Sequence, residues 1–139
     1  MRANALAAVA VTLCLGCSHN PPTVPVSGKI LYQGKPLPYG TVMFQHESGG
    51  QPSRGSIESD GTFQLSTYKL GDGARPGVNL VRVACFEGSD PNYKSNAPEG
   101  EIVLGKSLIP RKYNSFGSSG LRVEVAPEGA QEFELVLEE

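Results

Sequence analysis

The chain has 139 residues, with 12 Lys and Arg against 14 Asp and Glu, three Cys and no Trp. Glycine and proline fill 28 positions, about a fifth of the whole, which argues against a helical bundle and for short strands joined by turns. A formal charge of −2 gives no electrostatic footprint for nucleic acid, and 39% hydrophobic residues are too dispersed for a multi-span membrane protein.

Residues 1–16 read as an address. Arg2 precedes an uncharged run from Ala5 to Leu15, too short to cross a bilayer and of the right length for the apolar part of a secretory signal. The run ends in Leu15-Gly16-Cys17, which resembles a bacterial lipobox; Cys14 stands where that motif usually has leucine, with Leu13 beside it. The resemblance implies a thioether to diacylglycerol on Cys17, cleavage before it, and acylation of the new amine. The alternative is an ordinary signal cut elsewhere, which releases a soluble secreted domain. With Cys17 as first residue the mature chain has 123 residues and a net charge of −3. Buried acyl methylenes contribute about 0.8 kcal/mol each, so two or three chains anchor a protein durably. Ser18 in second place, by resemblance to sorted lipoproteins, implies the outer membrane, facing the periplasm or the cell surface.

Residues 17–25 carry three prolines in the stretch Ser18-His19-Asn20-Pro21-Pro22-Thr23-Val24-Pro25 and read as a semi-rigid tether about 25 Å long. Residues 26–139 then form one domain of period-two strands broken by turns. The expected strands are 26–32, 41–46, 54–58, 62–67, 78–86, 121–125 and 131–137. Gln33-Gly34-Lys35-Pro36 and Ser59-Asp60-Gly61 are turns, and residues 87–107 form a long surface excursion. The last two strands are expected as an antiparallel hairpin across residues 126–130, its solvated face carrying Glu124, Glu128, Glu132, Glu134, Glu138 and Glu139. Seven short strands with no convincing helix give an all-β fold, an antiparallel two-sheet sandwich. Cys85, left without a partner once Cys14 departs and Cys17 is lipidated, is expected as a buried apolar residue, with no intramolecular disulfide.

The stretch from Val26 to Val42, with Gly34-Lys35-Pro36-Leu37 at its turn, resembles the opening of the carboxypeptidase-regulatory-like, or transthyretin-like (prealbumin-like, Ig-like), sandwich. Asp60-Gly61-Thr62-Phe63-Gln64-Leu65 resembles that family's next hairpin, and Gly77 to Val83 a later strand, without the aromatic usual there. Residues 67–77, Ile109 to Tyr113 and Ser119-Gly120-Leu121 are similar to predicted bacterial lipoproteins built on this sandwich. The resemblance implies a non-catalytic surface module.

Catalytic chemistry finds few carriers. Relatives of this sandwich include hydrolases and iron enzymes that need several histidines, whereas this chain has His19, in the tether, and His46, with no motif around it. Asp60, Asp72 and Asp90 lie at turn positions without the spacing of a calcium loop. No cofactor or metal is therefore expected. The loops 68–77 and 87–119 place Tyr68, Tyr93, Tyr113 and Phe116 among Arg75, Lys94, Arg111 and Lys112 and form the candidate surface for a protein or glycan ligand. Alternatively, Tyr113 and Ile109 cap the open end of the sandwich. Three readings stand: a lipid-anchored envelope protein that binds or scaffolds, a small envelope hydrolase or metal-dependent enzyme, and an inert spacer.

Overall fold

The computed structural model describes residues 19–139; Cys14, Cys17 and Ser18, and with them the signal and the lipid site, lie outside the described residues. Eight strands are present: β1 (Val26–Tyr32), β2 (Lys35–Pro36), β3 (Thr41–His46), β4 (Ser53–Ser56), β5 (Thr62–Gln64), β6 (Gly77–Ala84), β7 (Leu121–Val125) and β8 (Gln131–Leu137). Two short 3₁₀ turns, Glu87–Ser89 and Arg111–Asn114, interrupt the long connection between β6 and β7. Among the described residues no helix is long and apolar enough to cross a membrane.

The strands form two four-stranded sheets that make a β-sandwich. In the first, β1 is central: β8 pairs along one edge from Val26 to Tyr32, and the other edge is shared by β5, at Ser27 to Lys29, and β2, at Leu31 and Tyr32. The second runs β4-β3-β6-β7 and is antiparallel throughout. Alternation decides what faces inward. Val26, Ile30, Phe63, Leu135 and Leu137 of the first sheet meet Val42, Phe44, Val81, Val83 and Val125 of the second in one buried cluster. Phe44 is fully buried at its centre, with ring centroids 6.2 Å from Phe63 and 6.3 Å from Phe133, both tilted. At about 1.5–3 kcal/mol for each buried aliphatic or aromatic side chain, this cluster is the chief stabiliser of the fold.

Several local features differ from the sequence expectation; the strands expected at 62–67 and 78–86 are Thr62–Gln64 and Gly77–Ala84. Lys35 and Pro36 belong to a strand, because Gln33 and Gly34 both adopt positive φ (52° and 74°) and turn the chain back onto β1 within two residues. The fourth strand ends at Ser56, two residues before Glu58, with Ile57 buried just beyond it. The turn at Asp60-Gly61 is tight as expected, yet β4 and β5 belong to different sheets, and the isolated bridge from Arg54 of β4 goes to Ser66, two residues past β5. The largest difference is at the C-terminus: β7 and β8 are not a hairpin. β7 pairs with β6, and β8 crosses to the other sheet and lies parallel to β1. Alternating apolar residues suit either partner. The open edge of β1 supplies seven residues of pairing, and the Gln131 side chain closes the crossing by bonding both backbone groups of Ala126, at 2.8 and 2.9 Å. The six glutamates of that region are all exposed, divided between the two sheets.

The sandwich reaches back into the tether. Val24 is buried and exchanges two backbone hydrogen bonds of 3.0 Å with Ala74. Gly73 makes this approach feasible: its φ is +85°, and a Cβ there would stand 1.7 Å from the Val24 carbonyl oxygen. At the other end, Tyr113 is buried within the core cluster, and its hydroxyl accepts from Glu138 N–H at 2.8 Å and donates to Glu138 C=O at 3.1 Å. It therefore caps the sandwich and pins the residue that follows β8. Replacing Tyr113 with Phe should remove both bonds, leave the ring in place, and lower unfolding stability by about 1–2 kcal/mol in denaturant titration.

Candidate functional site

The register of the second sheet creates a feature that strand parity alone does not disclose. Met43 of β3 lies opposite Arg54 of β4 on one side and opposite Arg82 of β6 on the other. Directly paired residues project to the same face, here the outer one, because their neighbours Val42, Gly55, Val81 and Val83 are buried. Two arginines thus flank one methionine across three strands, their Cα atoms about 10 Å apart. One row away, Thr41 lies opposite both Ser56 and Ala84, and the row on the other side pairs Gln45 with Leu80 and Leu80 with Arg122.

The excursion between β6 and β7 roofs this face. Its base is held by backbone hydrogen bonds from Glu87 N–H to Lys106 C=O, Gly88 N–H to Leu104 C=O and Leu108 N–H to Cys85 C=O, at 2.8–2.9 Å. Between roof and sheet lies a cleft of about 340 Å³. Thr41, Met43, Ala84 and the two arginines, Arg54 and Arg82, form its floor, and Phe86, Ser89 and Leu104 form its wall. None of these eight residues is acidic.

The two arginines are held differently. Arg82 is half-buried; its guanidinium donates to Asn114 C=O at 3.3 Å, touches Met43 Sδ at 2.8 Å, and lies 5.5 Å over the Phe116 ring. Arg54 is exposed. Arg122, elsewhere on this face, is paired with Glu47 at 3.4 Å, whereas among the described residues neither Arg54 nor Arg82 has a carboxylate within 4.0 Å.

The two candidate loops line different clefts. Tyr68, Lys69 and Asp72 border the tether residues His19 to Thr23, and Arg75 donates to Ser48 Oγ at 3.2 Å beside the turn after β3. Asp72 organises the first loop: its carboxylate accepts the backbone N–H groups of Thr67, Tyr68 and Lys69 at 2.6, 2.9 and 2.9 Å. In the second loop Tyr93, Lys94, Arg111 and Lys112 are exposed, Phe116 is half-buried beneath Arg82, and Tyr113 is interior. Lys112 lies 5.1 Å over the Tyr113 ring. Sequence reading placed Phe116 in the binding loop and missed Arg54, Arg82, Met43 and Thr41; their outward parity was the available signal, and the pairing that makes them neighbours was not.

His46 Nδ1 accepts the Ser48 backbone N–H at 3.1 Å and lies 2.7 Å from Ser48 Oγ. This is a contact two residues apart in the turn that closes β3, where Gly49 N–H also reaches His46 C=O at 2.8 Å. Among the described residues no group of three His, Cys, Asp or Glu side chains stands close enough to hold a metal.

Comparison with known proteins adds one resemblance. A crystal structure of a DUF3823 family protein from Parabacteroides merdae is similar, at 17% sequence identity and a TM-score of 0.40, over 85% of this chain and 47% of the other. The chain thus spans about half the length of that protein. No protein-family model matches the chain, and neither does any curated protein.

Two titrations follow from the geometry. Partial burial by itself would raise the Asp72 carboxyl, but the three backbone N–H groups outweigh burial and hold it below its ordinary 3.8. The resulting stabilisation is complete above 3.8 and is lost as pH falls through the lower folded value. Asp72→Asn should therefore lower stability at pH 7, and the gap to wild type should narrow below 3.8 in pH-resolved denaturation. Burial pushes the Cys85 thiol up to about 11. Native protein at pH 8 should resist iodoacetamide at Cys85 and react only after denaturation, as read by intact mass.

Proposed function

We propose that this protein is a lipid-anchored β-sandwich of the bacterial cell envelope that acts by binding, without catalysis. The anchoring half rests on the apolar run ending at Gly16-Cys17 and on the proline-bearing tether that follows it. The likeness of its turns to the carboxypeptidase-regulatory-like sandwich supports the same reading. Exposed Tyr93 and Lys94 on the long loop, and Tyr68 on the shorter one, are the polar-aromatic contacts such a surface would use.

The observation that carries the binding half is the roofed cleft on the outer face of β3 and β6. A long connection folded back over a sheet, leaving a concavity with two guanidiniums in it, is suited to holding a ligand. The histidine content speaks against the hydrolase alternative. His46, the sole imidazole outside the tether, is hydrogen-bonded within its own turn.

Metabolic labelling with palmitate tests the anchor. Wild type should carry label and shift to an uncleaved precursor under globomycin, and Cys17→Ser should carry none. An unlabelled wild type would remove the anchor from the proposal.

A further inference from the structure

We propose that the cleft between the second sheet and its roof binds a carboxylate attached to a small apolar or ring-shaped body, gripped by Arg54 and Arg82 across Met43. This deepens the binding reading above and rests on it.

Arg54 and Arg82 flank Met43 in one cross-strand row, and both contribute to a cleft in which no residue is acidic. On the same face Arg122 has its own carboxylate, Glu47. The two cationic groups in the cleft are thus left for an anion from outside. A guanidinium presents several N–H groups in a rigid planar fork that matches the two oxygens of a carboxylate. Arg82 is also preorganised: Asn114 C=O holds one of its nitrogens and its guanidinium sits over the Phe116 ring, so little conformational freedom remains to be lost on binding. Arg54, exposed and without such restraints, can swing to close on the bound group.

The remaining lining defines the body of the ligand. Met43, Ala84, Phe86 and Leu104 offer apolar surface beside the charged pair, and the hydroxyls of Thr41 and Ser89 offer two neutral hydrogen-bonding positions. A volume of about 340 Å³ is at the small end of ligand pockets and suits one ring or a short chain, not a folded partner. The carboxylate could come from a free organic acid or from an acidic sugar unit, and the same fork would read either.

Met43 is the natural reporter, because it lines the cleft and the chain has only two methionines. Full-length protein, ¹³C-methyl-labelled at methionine and purified in detergent, would be titrated with phenylacetate, its neutral isostere phenylacetamide, and galacturonate. Phenylacetate should move the Met43 resonance saturably with a Kd of about 1 mM, the range expected of a fragment-sized ligand. Phenylacetamide should bind at least about tenfold more weakly, as expected for loss of a charge-assisted contact. Galacturonate binding more tightly than phenylacetate would assign the carboxylate to a glycan; the reverse order would assign it to a free acid.

Arg54→Gln, on an exposed side chain, should weaken phenylacetate about tenfold. Arg82→Lys, which keeps the charge and loses the fork, should do the same in protein whose thermal transition shows it folded. Equal shifts from acid and amide, or affinity unaltered in both variants, would overturn the proposal. So would the absence of saturable binding by either acid. If the acids fail while an envelope partner captured by wild type is lost on Tyr93→Ala, the anion site falls and the broader binding function stands. Loss of both would remove the binding function as well.

Discussion

The fold depends on β1 having partners on both edges. Seven consecutive residues, Val26 to Tyr32, pair in parallel with Gln131 to Leu137, while β5 and β2 divide the opposite edge. Because side chains alternate, this one register brings Gly28, Ile30 and Tyr32 level with Phe133, Leu135 and Leu137. A slip of one residue would turn Leu135 and Leu137 to solvent. Gly28 belongs to the same constraint: a Cβ there would stand 2.2 Å from the Phe133 carbonyl oxygen and 2.7 Å from the Phe63 ring, so the missing side chain is what lets the aromatic rings close beneath the strand.

From that sheet the rest follows by division of labour. The inward faces of β3 and β6 complete the core, and their outward faces are free to carry polar residues. Much of the long connection from Cys85 to Gly120 lies on that outward side, held by Leu108 at Cys85 and by Ser119, whose hydroxyl bonds Val81 C=O, while Ile109 and Tyr113 turn into the core. A rigid floor and a roof made of irregular chain give a cleft whose floor is set by strand register and whose wall is set by loop sequence. This separation lets the wall of the cleft vary without disturbing the hydrophobic cluster.

Much of the architecture was legible because local signals and packing agree. Val26 to Tyr32 and Thr41 to His46 have the same bounds in sequence and structure, and Phe63 and Leu65 alternate inward as their pattern requires. What stayed hidden was pairing. The alternation in Leu121 to Val125 and Gln131 to Leu137 says that each is a strand with one apolar face, and it is silent on the neighbour each takes. The short link between them favours a hairpin on local grounds. The long-range demand of the β1 edge prevailed. The same limit concealed the cleft. Arg82 visibly interrupts an apolar strand, and its position 28 residues beyond Arg54 carries no hint that Met43 stands between them. Tyr113, attractive in a loop of basic residues, proved interior because its hydroxyl finds both backbone groups of Glu138.

The side-by-side placement of the first and last strands has a consequence for how the polypeptide is made. During synthesis β1 emerges long before β8, and its long free margin stays a template for any passing extended segment until Gln131 to Leu137 arrive. Closure over such a separation is slow compared with local turn formation. A chain that lacks β8 is therefore adhesive along β1, and the arrival of that strand itself seals the molecule.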